Sequence, residues 1–220
     1  MSAAPAPLNP ALALFDAGAF QARIGASAAQ MADMHAFRDL LIEWNGRMNL
    51  VGPSALGEFW RRHAFDSAQL REIEPQARTW ADLGAGAGFP GLVLAILTKH
   101  RPDAHVHLVE SVAKRCRFLQ TVVDALALPA SVHNARAEDL SLKVDVVTAR
   151  ACAPMVRLLG YAWPYLRADA VGLFLKGQDV GSELQEATKY WKFAADLIPS
   201  LSYSEGRIVR VKGVSRVRPG

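Results

Sequence analysis

The glycine-rich segment Asp82–Gly91, which reads DLGAGAGFPG, constrains the possible folds more than any other part of the chain. It follows Thr79–Leu83, a short segment with the pattern of a strand, and Pro90 suits the first turn of a helix that continues to Lys99. Glycines between a strand and a helix let the backbone turn tightly and approach a ligand closely. The segment therefore predicts the first strand–turn–helix unit of an α/β sheet.

The chain beyond this unit alternates between predicted strands and predicted helices. Further strands are predicted at His105–Glu110, Ser131–Ala135, Val144–Thr148, Val171–Leu175, Phe193–Ile198 and Arg207–Lys212. Further helices are predicted at Val112–Leu126, Met155–Leu166 and Asp179–Trp191. The alternation is typical of a parallel sheet with helices on both faces, and the last two strands predict an antiparallel hairpin at one edge. We expect an α/β, Rossmann-like fold with a mostly parallel, seven-stranded sheet.

The residues before this sheet have a helical pattern. The first ten are rich in Ala and Pro and predict a disordered start, and Ala11–Phe20 predicts a short helix. Ser27 and Gln30 form a capping-box pair ahead of apolar residues at three- and four-residue steps, and Ser54 suits the cap of another helix that ends near Arg71. The chain is therefore predicted to comprise an N-terminal helical extension (1–75), an α/β core (76–213) and a basic tail (214–220).

Two acidic residues indicate which ligand the glycine turn binds. The glycines at 84, 86 and 88 depart from the G-x-G-x-x-G spacing of dinucleotide sites, and Asp82, directly before the turn, repels a pyrophosphate. The Asp82 carboxylate suits a cationic amino group, and Glu110, at the end of the second strand, can accept bonds from two ribose hydroxyls. S-adenosylmethionine has both groups and no phosphate. We expect Asp82, Gly84, Gly86 and Glu110 to bind it, with a plain tight loop as the alternative.

Residues that follow the other strands are further candidates, because ligands of open α/β sheets lie beyond the carboxyl ends of the strands. Ala137 and Glu138 follow the third strand and are expected to contact the adenine, although an acid at this position is also typical of a helix start. Arg150 follows the fourth strand and Lys176 the fifth. A surface ion pair is the alternative interpretation for each of these two cations.

The positive charge of the chain is local. Five bases and no acid lie within residues 206–220, whereas the other residues carry 20 bases and 21 acids, from totals of 25 and 21. These five are Arg207, Arg210, Lys212, Arg216 and Arg218. A basic strand and tail can follow a phosphate backbone, although solubility alone explains them equally well.

Composition excludes several classes of protein. An apolar fraction of 51% is too high for disorder, and no apolar run reaches the roughly 18 residues of a membrane helix. Two cysteines, Cys116 and Cys152, form neither a disulfide framework nor a zinc site. We expect a cytoplasmic protein without a metal, without an obligate protein partner and without membrane contact, and a monomer.

Six short motifs in a fixed order resemble one family. They are Trp44-Asn45 with Asn49-Leu50, Arg62-His63 with Asp66-Ser67, Asp82–Gly91, Arg136-Ala137-Glu138, Arg150-Ala151 and Lys176-Gly177. The chain resembles, from about Met34 to Lys212, the bacterial 16S ribosomal RNA small-subunit methyltransferase G family, of the glucose-inhibited division protein B type. The two motifs upstream of the glycine turn make the resemblance specific. It is weakest at the two ends of the chain.

This resemblance implies a class I S-adenosylmethionine-dependent methyltransferase. Its substrate would be 16S rRNA in the small ribosomal subunit, methylated at N7 of a guanine, position 527, in the 530 loop. The cofactor contacts implied by the family motifs are Gly84, Phe89, Ala137, Glu138 and Arg150.

Guanine N7 carries a free lone pair at neutral pH, so the reaction needs positioning rather than a general base. His63 and Asp66 lie three residues apart on a predicted helix and are candidates to position the substrate, with Asp66 orienting the imidazole. A packing histidine is the alternative. Lys176 and Arg150 are candidates to read the guanine O6. Candidate RNA contacts are Arg62, Arg207, Arg216 and Arg218.

Three other functions remain open at this stage. A small-molecule methyltransferase would share the cofactor pocket but lacks a reason for the basic end of the chain. A noncatalytic RNA- or ribosome-binding module would have no need for Asp82, Gly84 and Glu110 together. A dinucleotide oxidoreductase is disfavoured by the glycine spacing.

Overall fold

The computed structural model describes residues 15–52 and 56–217. A seven-stranded sheet with the strand order β3-β2-β1-β4-β5-β7-β6 forms its centre. The strands are β1 (Thr79–Leu83), β2 (His105–Glu110), β3 (Ala130–Asn134), β4 (Val146–Arg150), β5 (Val171–Lys176), β6 (Trp191–Pro199) and β7 (Arg207–Arg216). β7 is antiparallel to both β5 and β6, and the other neighbouring pairs are parallel. The predicted sheet with its antiparallel edge hairpin is confirmed.

Helices cover both faces of the sheet. The α-helices are α1 (Ala17–Ile24), α2 (Ala28–Met48), α3 (Asp66–Ala68), α4 (Leu70–Ile73), α5 (Gly91–Thr98), α6 (Ala113–Ala125), α7 (Met155–Leu166) and α8 (Val180–Ala187). Successive strand residues face opposite ways: Trp80 packs in one apolar cluster with α2, α5 and α6, whereas Ala81 packs in the other with α7. Each face of the sheet therefore has its own core.

The N-terminal helices share a core with the sheet. Phe37 of α2 is fully buried in the cluster that contains Trp80 and α5. Ser27 and Gln30 form the predicted capping box, and the Gln30 side-chain amide also donates to the carbonyl of Leu97 (2.9 Å). This second bond ties the start of α2 to the end of α5. The extension therefore forms one wall of the core, and its position relative to the sheet is set by packing.

The helix predicted to begin at Ser54 differs in the structure. Ser54 itself lies outside the described residues, as do residues 1–14. The chain instead forms a π-helix at Phe59–Phe65, followed by the short helices α3 and α4. A π-helical turn, which is rare and often occurs at functional sites, rotates the following side chains relative to a regular α-helix. It contains His63, one of the candidate residues.

The C-terminal predictions require two corrections. The helix predicted to reach Trp191 ends at Ala187, and Trp191 begins β6. β7 continues to Arg216, so residues 214–216 belong to the sheet and not to a tail, whereas Arg218 lies outside the described residues. Arg207 and Arg216 are nine residues apart on this strand, which corresponds to about 30 Å. They therefore lie at opposite ends of the sheet.

None of the helices in the described part of the chain is long and apolar enough to cross a membrane. Within the same residues there is no group of three or more His, Cys, Asp or Glu side chains that could hold a metal ion.

Helix α5 begins at a glycine for a steric reason that can be tested. A Cβ atom at Gly91 would lie 2.3 Å from Leu108 Cδ2 and 2.7 Å from Asp82 Oδ2. We expect Gly91→Ala to lower the free energy of unfolding by about 1–3 kcal/mol, as overpacking does. The matched control is Gly181→Ala in α8, where a Cβ would meet nothing within 4 Å. It should be neutral or stabilise by up to about 1 kcal/mol. Urea unfolding measures both, and equal effects of the two substitutions would contradict the steric explanation.

Candidate active site

A cleft of about 690 Å³ opens at the carboxyl ends of β1, β4 and β5. The glycine turn after β1 lines one part of it, and the π-helix region lines another. The turn between β6 and β7 closes a third side, because β7 is antiparallel and begins at this end of the sheet. The side chains discussed below that line the cleft are Arg62, His63, Asp66, Phe89, Arg150, Lys176, Tyr203 and Arg207.

The glycine turn requires glycine at three positions. Gly84, Gly86 and Gly88 have φ angles of 69°, 55° and 88°, which side chains rarely adopt. The amide of Gly84 donates to the carbonyl of Val109 (2.8 Å), so the turn is fastened to the end of β2. At Gly88 a Cβ would lie 2.2 Å from Leu92 Cδ1. The turn therefore exposes backbone to the cleft at Gly84 and Gly86.

Asp82 lies beneath this turn. Its carboxylate is fully buried, and Oδ2 accepts a hydrogen bond from the amide of Gly91 (2.8 Å). Among the described residues, Oδ1 has no partner. The pKa of Asp82 is raised to about 7, because burial and, to a smaller extent, the negative charge of Glu110 raise it more than the Gly91 bond and Arg150 lower it. The structure thus gives Asp82 a role in holding the turn, and a direct contact with a ligand stays a prediction.

Glu110 has a comparable position at the end of β2. Its side chain is 4% exposed, Oε2 accepts from the amide of Gly86 (3.1 Å) and Oε1 accepts from the amide of Val112 (2.8 Å). The carboxylate therefore joins the glycine turn to the start of α6. The carboxylate has further lone pairs that can accept hydrogen bonds from ribose hydroxyls. No contact in the structure tests this predicted ribose contact.

His63 is oriented by Arg150, not by Asp66 as predicted. Arg150 Nη1 lies 2.7 Å from His63 Nδ1 and also donates to the carbonyl of Arg62 (2.9 Å). A guanidinium only donates, so His63 Nδ1 accepts and the proton of the neutral ring is on Nε2. Burial and the positive charges of Arg150 and Arg62 lower the pKa of His63 to about 3. The imidazole is therefore neutral at physiological pH.

Phe89 holds this group against the glycine turn. Its ring is stacked on the His63 ring, with centroids 4.8 Å apart and 23° between the planes. The guanidinium of Arg150 lies 4.8 Å from the centroid of the same ring. Phe89, His63 and Arg150 thus form one packed unit beside the exposed glycine backbone, in which each side chain fixes the other two.

Asp66 belongs to a different network. Its Oδ1 accepts from Ser202 Oγ (2.6 Å), from Ser200 Oγ (3.1 Å) and from the side-chain amide of Gln69 (3.0 Å). Oδ2 lies 4.0 Å from Arg150 Nη1. Asp66 therefore anchors the β6–β7 turn to the helical region, and it faces the Phe89–His63–Arg150 unit through the Arg150 charge.

The remaining candidates are spread along the strand ends. Lys176 lines the cleft, but its ammonium is paired with Glu183 (2.6 Å) and donates to the carbonyl of Ala153 (3.0 Å). Ala137 and Glu138 lie in a 3₁₀ turn after β3, where the Ala137 carbonyl accepts from Tyr165 Oη (3.2 Å). The roles predicted for these three residues are not tested by any contact in the structure.

Sequence reasoning missed several residues at the site. Gln69, Ser200, Ser202 and Glu183 hold the candidate residues, and Tyr203 lines the cleft. Ser202 and Asp66 are 136 residues apart, so no local pattern could have indicated their contact.

The two cysteines are not activated as nucleophiles. The Cys116 thiol donates to the Glu110 carbonyl (3.1 Å), and burial and the Glu110 charge raise its pKa. Burial and the nearby carboxylates, with Asp82 first, also raise the pKa of Cys152. Both thiols therefore stay protonated at neutral pH.

Comparison with known proteins identifies the family. A family model described as rRNA small subunit methyltransferase G matches residues 30–207. The chain belongs to this family. The Ribosomal RNA small subunit methyltransferase G of Caulobacter vibrioides is 63% identical to it over 206 residues, which cover 94% of this chain and 95% of that protein. The protein of the same name from Methylorubrum populi is 46% identical over 199 residues, covering 89% and 93% of the two chains. The resemblance stated from the six motifs is confirmed.

Solved structures support the fold class. An S-adenosylmethionine-dependent methyltransferase from Aquifex aeolicus aligns with a TM-score of 0.51 at 16% identity, over 74% of this chain and 95% of that chain. A mutant of MtNAS in complex with S-adenosylmethionine aligns with a TM-score of 0.54 at 15% identity, over 90% and 84%. At these identities the likeness concerns the fold alone. It is the Rossmann-like fold of class I S-adenosylmethionine-dependent methyltransferases, as predicted.

The burial of Asp82 predicts a pH dependence of stability. Its pKa of about 7 exceeds the ordinary value of 3.8, so from about pH 4 to pH 7 the folded chain keeps a proton that the unfolded chain has released. The free energy of unfolding of the wild type should therefore fall, relative to that of Asp82→Asn, as the pH rises through this range. The difference is at most about 4 kcal/mol, the value of roughly three pKa units.

Urea unfolding at several pH values measures this difference. The matched control is Asp103→Asn, because the Asp103 side chain is 85% exposed, and its pH profile should run parallel to that of the wild type. Parallel profiles for the wild type and Asp82→Asn would contradict the assignment.

Proposed function

We propose that this protein transfers a methyl group from S-adenosylmethionine to N7 of a guanine, position 527, in the 530 loop of 16S rRNA. Membership of the rRNA small subunit methyltransferase G family supports a ribosomal RNA substrate. The observation that carries the cofactor assignment is the glycine turn, with three left-handed glycines beside the Phe89–His63–Arg150 unit. This part of the cleft offers exposed glycine backbone on one side and the fixed guanidinium of Arg150 on the other.

The residues of the cleft fit this cofactor. Gly84 is exposed and lines the cleft, and a Cβ there would already meet Cys152 Sγ at 3.1 Å, closer than ordinary van der Waals contact. Arg150 offers a guanidinium to a carboxylate, and the Glu110 carboxylate lies where β2 ends. S-adenosylmethionine, when bound, supplies an electrophilic methyl group on a sulfonium. Gly84, Gly86, Phe89, Glu110, Ala137, Glu138 and Arg150 are the residues proposed to hold it, with Asp82 acting beneath the turn.

The chemistry of the cleft suits a reaction without a general base. His63 Nδ1 is occupied by Arg150 and its ring is held neutral, so this histidine cannot take up a proton near pH 7. Neither thiol is ionised at that pH. Guanine N7 needs no deprotonation, so positioning suffices, and positioning can lower a barrier by about 7–11 kcal/mol. His63 and Asp66 contribute by holding the walls of the cleft, and Lys176 is proposed to face the guanine O6.

Positive charge at the rim supports an RNA substrate. Arg62 and Arg207 line the cleft, and each can contact a phosphate of an RNA loop. Arg216 lies at the far end of β7, so any contact it makes involves a more distant part of the RNA. We propose that the protein acts as a monomer in the cytoplasm on rRNA or the small ribosomal subunit.

A substitution at Gly84 tests the cofactor site. Gly84→Val should abolish binding of S-adenosylmethionine, because the side chain enters the space above the turn, while the far-ultraviolet circular dichroism stays native. Gly213→Val is the matched control: Gly213 also has a positive φ of 62°, but a Cβ there meets nothing within 4 Å and it does not line the cleft. Calorimetric titration should show loss of affinity for the first variant alone. Unchanged affinity in Gly84→Val would exclude the proposed pocket.

The reaction itself is tested with labelled S-adenosylmethionine and small ribosomal subunits that lack their native N7 methyl groups. Reductive strand cleavage maps 7-methylguanine, and we expect one new cleavage, in the 530 loop. Cleavage elsewhere would revise the target base. Cofactor binding without methylation of the subunit or of naked 16S rRNA would instead favour a small-molecule methyltransferase or a noncatalytic binding module.

A further inference from the structure

The turn between β6 and β7 forms a fixed wall of the cleft. Its backbone is held from the helical region, because the Gln69 side chain accepts from the amide of Leu201 (2.9 Å) and Asp66 accepts from Ser200 and Ser202. Ser200 also donates or accepts within the turn, 2.9 Å from Ser202 Oγ. A hairpin turn held by this many bonds presents its side chains in a defined position.

Tyr203 is the aromatic side chain that this turn presents to the cleft. The guanidinium carbon of Arg62 lies 4.0 Å from the centroid of its ring, and the hydroxyl donates to Glu205. The Arg62 contact fixes one face of the Tyr203 ring, and the bond to Glu205 fixes its hydroxyl. The residue is half-buried, whereas Phe89 is 3% exposed and already packs against His63 and Arg150. Of the two residues, only Tyr203 has ring surface left for a ligand.

The sheet order separates Tyr203 from the predicted adenine site. Ala137 and Glu138 follow β3, at one end of the strand order, whereas Tyr203 lies between β6 and β7, at the other. An adenine at Ala137 therefore cannot also stack on Tyr203. Tyr203 therefore lines the cleft on the side away from that predicted adenine contact.

We propose that Tyr203, backed by Arg62, is the platform on which the target base of the RNA stacks. The inference rests on the proposed function. Proteins that bind unpaired RNA bases hold them by stacking on aromatic rings and on guanidinium planes, and here one of each is already in contact. A ring fixed before binding loses little freedom when the base arrives. Stacking on Tyr203 orients the base in the cleft. The Arg62 guanidinium, which already lies over the Tyr203 ring, is the third member of the stack.

The experiment measures binding of an RNA hairpin with the sequence of the 530 loop in which 2-aminopurine replaces the target guanine. We expect Tyr203→Ala to weaken binding by roughly 5- to 150-fold, the range for loss of one stacked base. The slope of affinity against salt should not change, because stacking releases no counterions. The fluorescence of bound 2-aminopurine should be quenched in the wild type and in Tyr203→Phe, and should rise in Tyr203→Ala.

Tyr190→Ala is the matched control, since Tyr190 is 54% exposed and does not line the cleft. Its RNA affinity should equal that of the wild type. Affinity for S-adenosylmethionine should be the same in all variants, which shows that the cofactor side of the cleft is intact.

Undiminished RNA affinity in Tyr203→Ala would overturn the inference, and so would fluorescence of the bound probe that is the same with and without the ring. A weaker affinity with a lower salt slope would also overturn it, because it would show a loss of charge contacts rather than of stacking. These measurements need no methyl transfer. Failure of the proposed function would appear separately, as absence of methylation by the wild type.

Discussion

A buried carboxylate beneath the glycine turn holds together the parts from which the cleft is built. Asp82 lies next to the end of β1, and the 2.8 Å bond from the Gly91 amide to its side chain joins the strand to α5 across the turn. Gly91 must be a glycine for this approach, and Leu108 packs against it from β2. The positions of Gly84 and Gly86, and through them of the Phe89 unit, depend on this joint. Burial disfavours the charged form of the Asp82 carboxyl, which is why its pKa is raised.

The cleft has one wall at the glycine turn and another at the β6–β7 turn, and Arg150 lies between them. On one side it fixes His63 against Phe89, and on the other its charge faces Asp66, which anchors the β6–β7 turn. The reaction proposed for this protein needs positioning rather than proton transfer, and such rigidity favours it. Neutral His63 and protonated thiols are consistent with that need, since none of them competes for a proton or for the methyl group.

Local features of this protein were predictable from its sequence, and long-range ones were not. The capping box at Ser27, the glycine turn and the strand segments depend on residues close in the chain, and all of them occur, with the bounds of β3 and β4 shifted by one or two residues. The partners of His63 and Asp66 were mispredicted or missed, because they depend on contacts across 87 and 136 residues. The π-helix at Phe59–Phe65 places His63 toward Arg150, and a three-residue spacing read as a regular helix paired it with Asp66 instead. The family motifs located these residues without revealing what each one contacts.

The reversed direction of β7 places the β6–β7 turn at the cleft while keeping it apart from the glycine turn. Since this strand runs against its neighbours, it starts where they end, and Ser200, Tyr203 and Gly206 of the preceding turn line the cleft without belonging to the glycine turn. Changes in the length or composition of that turn would reshape one wall of the cleft while leaving the glycine turn and its buried joint intact. In this architecture the cleft can therefore vary at the sheet edge while the glycine turn stays constant.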